Sequence, residues 1–255
     1  MSTHGVLIVN ADDWGGFREG TDAIEACFAA GAISSTTAMV HMADSRRAAE
    51  LALERERPVG LHLNLTQPFD AAEIAEPVRE RQRRACAHFA NLGRRRWTLS
   101  PDPRVRRLVA DAVRDQLEEF AALYPGREPT HLDSHEHVHV CPDVFLSPAL
   151  ERGRRVRQTL SPVPGEDGNP AVRLAQRAKH GVLARRFVTT KRFWRAAELA
   201  PGGGAVPIAH AVAEAAGVPV EVMVHPSFPD EFETLRSADW VAAVEGAKPY
   251  SALGS

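Results

Sequence analysis

Val6-Leu7-Ile8-Val9 is an unbroken apolar run, and it ends in Asn10-Ala11-Asp12-Asp13. An unbroken run fits a strand buried on both faces, and such strands belong to parallel sheets covered by helices. Parallel neighbours need long crossovers, so this one segment constrains everything after it. The rest of the chain supplies those crossovers. Residues 19–30 read as a helix, with Ala23, Ile24, Cys27 and Phe28 on one face and Gly31 as the stop. Ile33 to Val40 reads as the next strand, 45–56 as the next helix, and Val59 to Leu65 as the third strand. Residues 104–123 make the clearest helix, apolar at Leu108, Val109, Ala112, Val113, Leu117 and Phe120. Val218 to Val224 is the last strand, followed by His225-Pro226. Strands alternating with helices over 255 residues predict an α/β fold, a single parallel (β/α) barrel. A doubly wound open sheet is the alternative, weakened because no Gly-rich dinucleotide or phosphate loop follows the first strand.

Two stretches break the rhythm and are expected to be elaborated loops on one domain spanning 1–255. The first, near 70–100, carries Arg79, Arg81, Arg83, Arg84, Arg94, Arg95 and Arg96. It reads as the solvated face of a chain that has only three lysines. The second, near 160–204, mixes Pro, Gly and basic residues. A net charge of −2 argues against a nucleic-acid partner. No apolar run approaches the roughly 20 residues of a membrane span, and the first residues lack the order of a signal peptide. Three scattered cysteines form neither a disulfide framework nor a zinc knuckle, so a cytoplasmic location is expected. The sequence leaves a homodimer open.

Histidine is where composition departs from the ordinary. The chain has 11, and four of them, His131, His135, His137 and His139, fall within nine residues. Read as a strand, 131–139 projects those four and Asp133 to one face; read as a helix, it aligns His131, His135 and His139. Pro129 and the valines at 138 and 140 favour a strand running into a loop. Convergent imidazoles and a carboxylate are costly without a ligand or hydrogen bonds, and not all five can touch one ion. Asp12 and Asp13 follow a buried strand, where successive side chains point to opposite sides, so the two carboxylates can serve different partners. Taken alone, either could cap the next helix. His62, inside Gly60-Leu61-His62-Leu63-Asn64-Leu65-Thr66, and His225 also lie near strand ends. In a β/α barrel the C-terminal strand ends meet at one face, where active sites are built.

Taken together, VNADDWG (9–15), SSTTAMV (34–40), GLHLNLT (60–66), THLDSHEHVH (130–139) and VMVHPSF (222–228) resemble the YdjC-like carbohydrate deacetylases, including chitooligosaccharide deacetylases and hopanoid-associated relatives. The five segments occur in family order over nearly the whole chain. The resemblance implies a deformed β/α barrel like that of polysaccharide deacetylases, which removes N-acetyl groups from amino sugars with one divalent metal. It implies Asp13, His62 and His135 as metal ligands, Asp12 as general base and His225 as general acid. Trp14, His131, Asp133, His137, His139 and Arg157 are expected to contact substrate or support the ligands. Two departures stand out: Pro226-Ser227 follows His225 where many relatives have Pro-Gly or Pro-Ala, and Arg195 follows Phe193-Trp194 where relatives commonly have glycine.

The chemistry is consistent with those roles. Amide hydrolysis needs an activated water, a polarised carbonyl and a proton for the departing amine, and no Ser or Cys nucleophile is required. One carboxylate and two imidazoles suit zinc by softness, with magnesium as the other candidate. The expected substrate is a small N-acetylated sugar or glycoconjugate. The rival readings are a metal-dependent phosphoesterase or other hydrolase on the same barrel, and a metal-binding protein without catalysis.

Overall fold

A computed structural model of the chain describes residues 5–90, 98–160, 170–199 and 207–254. The opening run becomes β1 (Val6–Trp14), and it conceals an alternation. Leu7, Val9 and Ala11 pack in the main core among the helices, while Ile8 lies in a separate cluster with Tyr250 and Leu253. Asn10 and Asp12 share the Ile8 face by the period of two. That face is the interior of the barrel.

The chain then winds as expected through α1 (Arg18–Ala29), β2 (Ser35–Ala38), α2 (Ser45–Glu54) and β3 (Val59–Leu63). Next come α3 (Glu76–Phe89), α4 (Pro103–Leu123), β4 (Leu132–Ser134) and α5 (Pro142–Phe145). After α6 (Pro170–Arg186), β5 (Arg192–Arg195), α7 (Ala196–Leu199) and α8 (Ile208–Ala215), β6 (Pro219–Val224) returns to the centre beside β1. The helices α9 (Pro229–Leu235) and α10 (Ala238–Ala243) follow it. The six strands pair in parallel in the order β4-β3-β2-β1-β6-β5.

The two edges of this sheet are joined by short bridges. Leu132 N–H donates to Arg155 O at 2.9 Å, and Arg157 N–H donates to Leu132 O at 3.0 Å. On the other side of the same segment, Val156 N–H donates to Val188 O at 2.9 Å, and Val188 N–H donates to Arg154 O at 3.0 Å. Val188 leads directly into β5, the opposite edge. The sheet therefore curls into a deformed barrel, the α/β class expected from the sequence.

Both stretches expected to be loops contain regular structure. Within 70–100, α3 buries Gln82, Ala85 and Phe89, a helical spacing hidden among its arginines. Arg81 pairs with Asp115 and Arg83 with Glu80 on its solvent side. Within 160–204 lie α6, β5 and α7, and β5 buries Phe193 and Trp194. Residues 94–96, 161–169 and 201–204, also part of those expected loops, lie outside the described residues. Arg195 is held by Glu198 at 2.6 Å. Among the described residues no helix is long and apolar enough to cross a membrane.

The barrel floor is closed by a 3-10 turn at Tyr250–Ala252. The Tyr250 ring stacks on His131, with centroids 3.6 Å apart and planes 6° from parallel. His131 lies across Gly60 of β3, where an added Cβ would sit 2.5 Å from Nδ1 and 2.7 Å from the backbone oxygen of His131. Only a residue without a side chain fits there.

Candidate active site

At the C-terminal end of β1 the ladder to β2 shifts register between Ala11 and Trp14, and Asp13 adopts a φ of 69°. A left-handed aspartate in a bulge is a costly conformation for a strand end, and bulges re-aim side chains. Here the bulge overturns the expectation that Asp12 and Asp13 point to opposite sides. Both carboxylates turn toward His62, whose Nε2 lies 3.2 Å from Asp13 Oδ1 and whose Nδ1 lies 4.0 Å from Asp12 Oδ2.

Asp13 Oδ1 is also 3.5 Å from His135 Nδ1. This oxygen is buried and has no hydrogen-bond partner. The donor atoms of Asp13, His62 and His135 all lie within 4.8 Å of one another. Each imidazole is oriented from behind. His62 Nδ1–H donates to Asp133 Oδ1 at 2.7 Å, which turns Nε2 toward Asp13. His135 Nε2 is 2.6 Å from the Gln67 side-chain amide nitrogen, which holds the ring with Nδ1 turned toward Asp13. An orphaned carboxylate oxygen facing two imidazole nitrogens is a donor set that a divalent cation fits. A second group, Asp12, His62 and Asp133, is equally close but surrounds the Arg157 guanidinium, which already carries the positive charge there.

Arg157 is the knot beneath the site. It is fully buried and donates to both oxygens of Asp12, Nη1 at 2.7 Å and Nη2 at 2.6 Å. Nη2 also meets Asp133 at 2.8 Å, and Nε donates to Glu221 at 2.7 Å. Thr37 Oγ1 donates to Asp133 at 3.0 Å, and Asn10 Nδ2 donates to Asp12 at 2.9 Å. Burial alone would raise the Asp12 pKa, but the charge and hydrogen bonds of Arg157 reverse that and hold it well below the usual carboxylate range. For Asp13 the two imidazoles likewise outweigh burial. Burial would lower the His62 pKa, yet Asp133, Asp13 and Asp12 together raise it well above the ordinary value. Glu221 goes the other way: burial pushes it up to about 7, against the pull of Arg157, with the Tyr250 hydroxyl donating to it at 2.5 Å.

His225 follows β6 and brings Nε2 to 3.9 Å from Asp12 Oδ2. Its backbone N–H donates to Glu231 of α9 at 2.6 Å, which fixes the loop. The sequence-predicted residues Asp12, Asp13, His62, Asp133, His135, Arg157 and His225 thus come together.

The others do not all join them. The strand read over 131–139 stops at Ser134, and a 3-10 segment, His135–Val140, follows with Glu136 and His137 left-handed. The five residues therefore do not share one face. His131 belongs to the floor. His139 is buried between Ser134 Oγ, at 2.8 Å, and Arg157 O, at 3.1 Å. His137 packs edge-on against Phe193, with an unpartnered Nδ1, and burial lowers its pKa to about 3. Trp14 is fully buried and donates to Ala48 O at 3.1 Å, so it is a core residue and not a sugar contact. Trp194 is buried too, donating to Glu214 at 2.9 Å. Sequence reasoning missed Asn10, Thr37, Gln67, Glu221, Glu231 and Tyr250. Asn10 alone had a local signal, two residues before Asp12 on the inward face.

The family model described as YdjC-like protein matches residues 6–247. A chitooligosaccharide deacetylase from Salmonella heidelberg (strain SL476) is 31% identical over 271 residues, covering 97% of this chain and 98% of that protein. One from Yersinia enterocolitica serotype O:8 / biotype 1B is 35% identical over 144 residues, covering 55% of this chain and 53% of that one. Among solved structures, a protein from Enterococcus faecalis V583, provisionally described as a cellobiose-phosphate cleavage protein, superimposes with a TM-score of 0.67. It is 17% identical, with 99% of this chain and 100% of that chain covered, and that likeness shows the fold. With matching residues running from β1 to beyond α10, this chain belongs to the YdjC-like protein family.

Proposed function

We propose that this protein is a metal-dependent carbohydrate deacetylase that hydrolyses the acetamide of an N-acetylated amino sugar to acetate and the free amine. The observation that carries the reading is the unpartnered Asp13 Oδ1 facing ring nitrogens of His62 and His135, beside a second, ionised carboxylate on Asp12. Full-length relatives named chitooligosaccharide deacetylase support the substrate class. Asp13, His62 and His135 would hold the cation, which when bound would supply Lewis-acid polarisation of the acetamide carbonyl and acidify a water. Zinc is favoured by the donor set and magnesium is the alternative.

Asp12 accepts the proton of the attacking water at a carboxylate oxygen. Arg157 and Asn10 keep that carboxylate ionised and fixed, so no reorganisation is needed when the proton moves. The new C–O bond forms as the C–N bond breaks, and His225 delivers a proton to the departing amine nitrogen. The 3.9 Å between His225 Nε2 and Asp12 Oδ2 lets both groups serve one reacting carbon. His137 Nδ1, unpartnered and held neutral, is offered for a hydrogen bond with substrate.

The deciding experiment is acetate release from N-acetylglucosamine, its oligomers, and lipid- or nucleotide-linked N-acetyl sugars, with and without chelator. The expected result is release that a chelator abolishes and that zinc or magnesium restores. Hydrolysis of phosphate esters with no acetamide turnover would replace this reading with a phosphoesterase. Metal binding with neither activity would leave a non-catalytic metal protein.

A further inference from the structure

Of the described tryptophans, Trp14, Trp194 and Trp240 are all buried, so none of the three faces a sugar. Among the described residues the large apolar side chains left exposed include only two aromatics, Phe17 at 46% and Phe228 at 56%. Both stand on loops that leave the site. Phe17 comes four residues after Asp13, at the end of β1, and Phe228 three residues after His225, at the end of β6. These strands are paired neighbours, so the two loops leave the barrel rim side by side.

Each ring is held on one side and open on the other. Phe228 leans against His225, with ring centroids 5.4 Å apart and planes at 54°. The Phe17 ring lies along α1 at Gly20, where an added Cβ would meet its ring carbons at 3.0–3.3 Å. A supported aromatic face in water next to a proton-donating histidine is suited to the C–H face of a pyranose, which is apolar, while the sugar's edge hydroxyls remain hydrated.

We propose that Phe228, extended by Phe17, is the platform on which the pyranose ring of the substrate lies, and so determines specificity for cyclic sugars over other acetamides. The proposal rests on the deacetylase reading and deepens it. Phe228 can be changed without freeing its neighbour, because the backbone of His225 is anchored separately by Glu231.

The test is a saturation-transfer NMR titration of N,N′-diacetylchitobiose against the unaltered protein, Phe228→Ala and Phe228→Trp. Acetate release is measured in parallel from that sugar and from N-acetylethanolamine, which has no ring. Phe228→Ala should weaken sugar binding about tenfold, the loss of one buried aromatic contact face. The kcat/KM for the sugar should fall in step, turnover of the acyclic acetamide should be unchanged, and Trp should restore both sugar readouts. Sugar binding that ignores the Ala substitution, or equal loss on both acetamides, overturns the platform. Sugar binding that depends on Phe228 without any acetate release upholds the platform and removes only the deacetylase reading.

Discussion

As the proposed base, Asp12 must satisfy two demands that oppose each other. A base needs an available lone pair, yet the Arg157 fork engages both Asp12 oxygens and drives the carboxyl pKa down. A strongly acidic carboxyl is a weak base, so Asp12 could take a proton only from a water already made acidic, which is what a cation on Asp13, His62 and His135 would provide. Asp12→Asn should therefore keep bound metal and lose acetate release by about 10²–10⁴-fold, the usual range for one acid–base group. Metal content by mass spectrometry and initial rates measured on the same sample check it; full activity with Asn would reject Asp12 as the base. At this scale the sequence was readable where a residue type and a strand end coincide, as at Asp13, His62, His135 and His225. His131 and His139, expected to contact substrate or support the ligands, lie elsewhere: His131 against the floor, His139 behind the site on the Arg157 backbone. Glu221 and Tyr250 left no mark because a glutamate inside an apolar strand and a tyrosine near the terminus each look ordinary until Arg157 is seen between the strands.

Strands and helices with a long apolar period were legible, and short irregular ones were not. The first helix and α4 fall within a residue or two of their expected bounds, because their apolar faces repeat every three or four positions. β4 has three residues and gives way to 3-10 turns containing left-handed Glu136 and His137, which no propensity signals. β5 lay hidden among Arg and Lys, since an edge strand that closes a barrel needs apolar residues only at Phe193 and Trp194. The β3 strand was recognised, but the reason for Gly60 was not: it admits His131, which in turn carries Tyr250. Gly60→Ala would place a methyl 2.5 Å from the imidazole and 2.7 Å from a backbone oxygen, which cannot yield easily. The expected cost is about 1–3 kcal/mol of overpacking, read as a lower thermal midpoint. An unchanged midpoint would mean that the floor can shift, and that the His131–Tyr250 stack is not a fixed seal.

The barrel gathers Asp12, Asp133, Arg157 and Glu221 in its interior while most of the apolar core lies between the strands and the helices, and this charged interior shapes its response to acid. His131 and His139 are buried and His137 is half-buried, all three as neutral rings with pKa values lowered first by burial, and in the case of His137 to about 3. In the unfolded chain each titrates near about 6.5. Below that pH the unfolded state binds protons that the folded state refuses, so each ring makes stability fall as pH drops, by about 1.4 kcal/mol per pH unit. Glu221 opposes them. Its folded pKa of about 7 lies above the ordinary 4.5, so it holds a proton in the fold and stabilises on acidification, but only down to about 4.5. His62, raised by its carboxylates, binds protons in both states below about 6.5 and so adds no slope there; its stabilisation is lost only as pH rises through its folded value. Asp12 and Asp13 add their loss at lower pH still, as acid falls below the ordinary carboxylate range toward their depressed folded values. His41 and His180, also lowered by burial, act with these rings, and Glu231, raised by burial, acts with Glu221. Five imidazoles against two carboxyls leave a net decline. Urea unfolding of the metal-free protein should therefore show stability falling from pH 6.5 to 5, by about 4 kcal/mol per pH unit at most, and continuing to fall below 4.5. A flat or rising profile between pH 6.5 and 5 would show that these histidines carry protons in the fold, and the description of a neutral imidazole layer behind the active site would have to be abandoned.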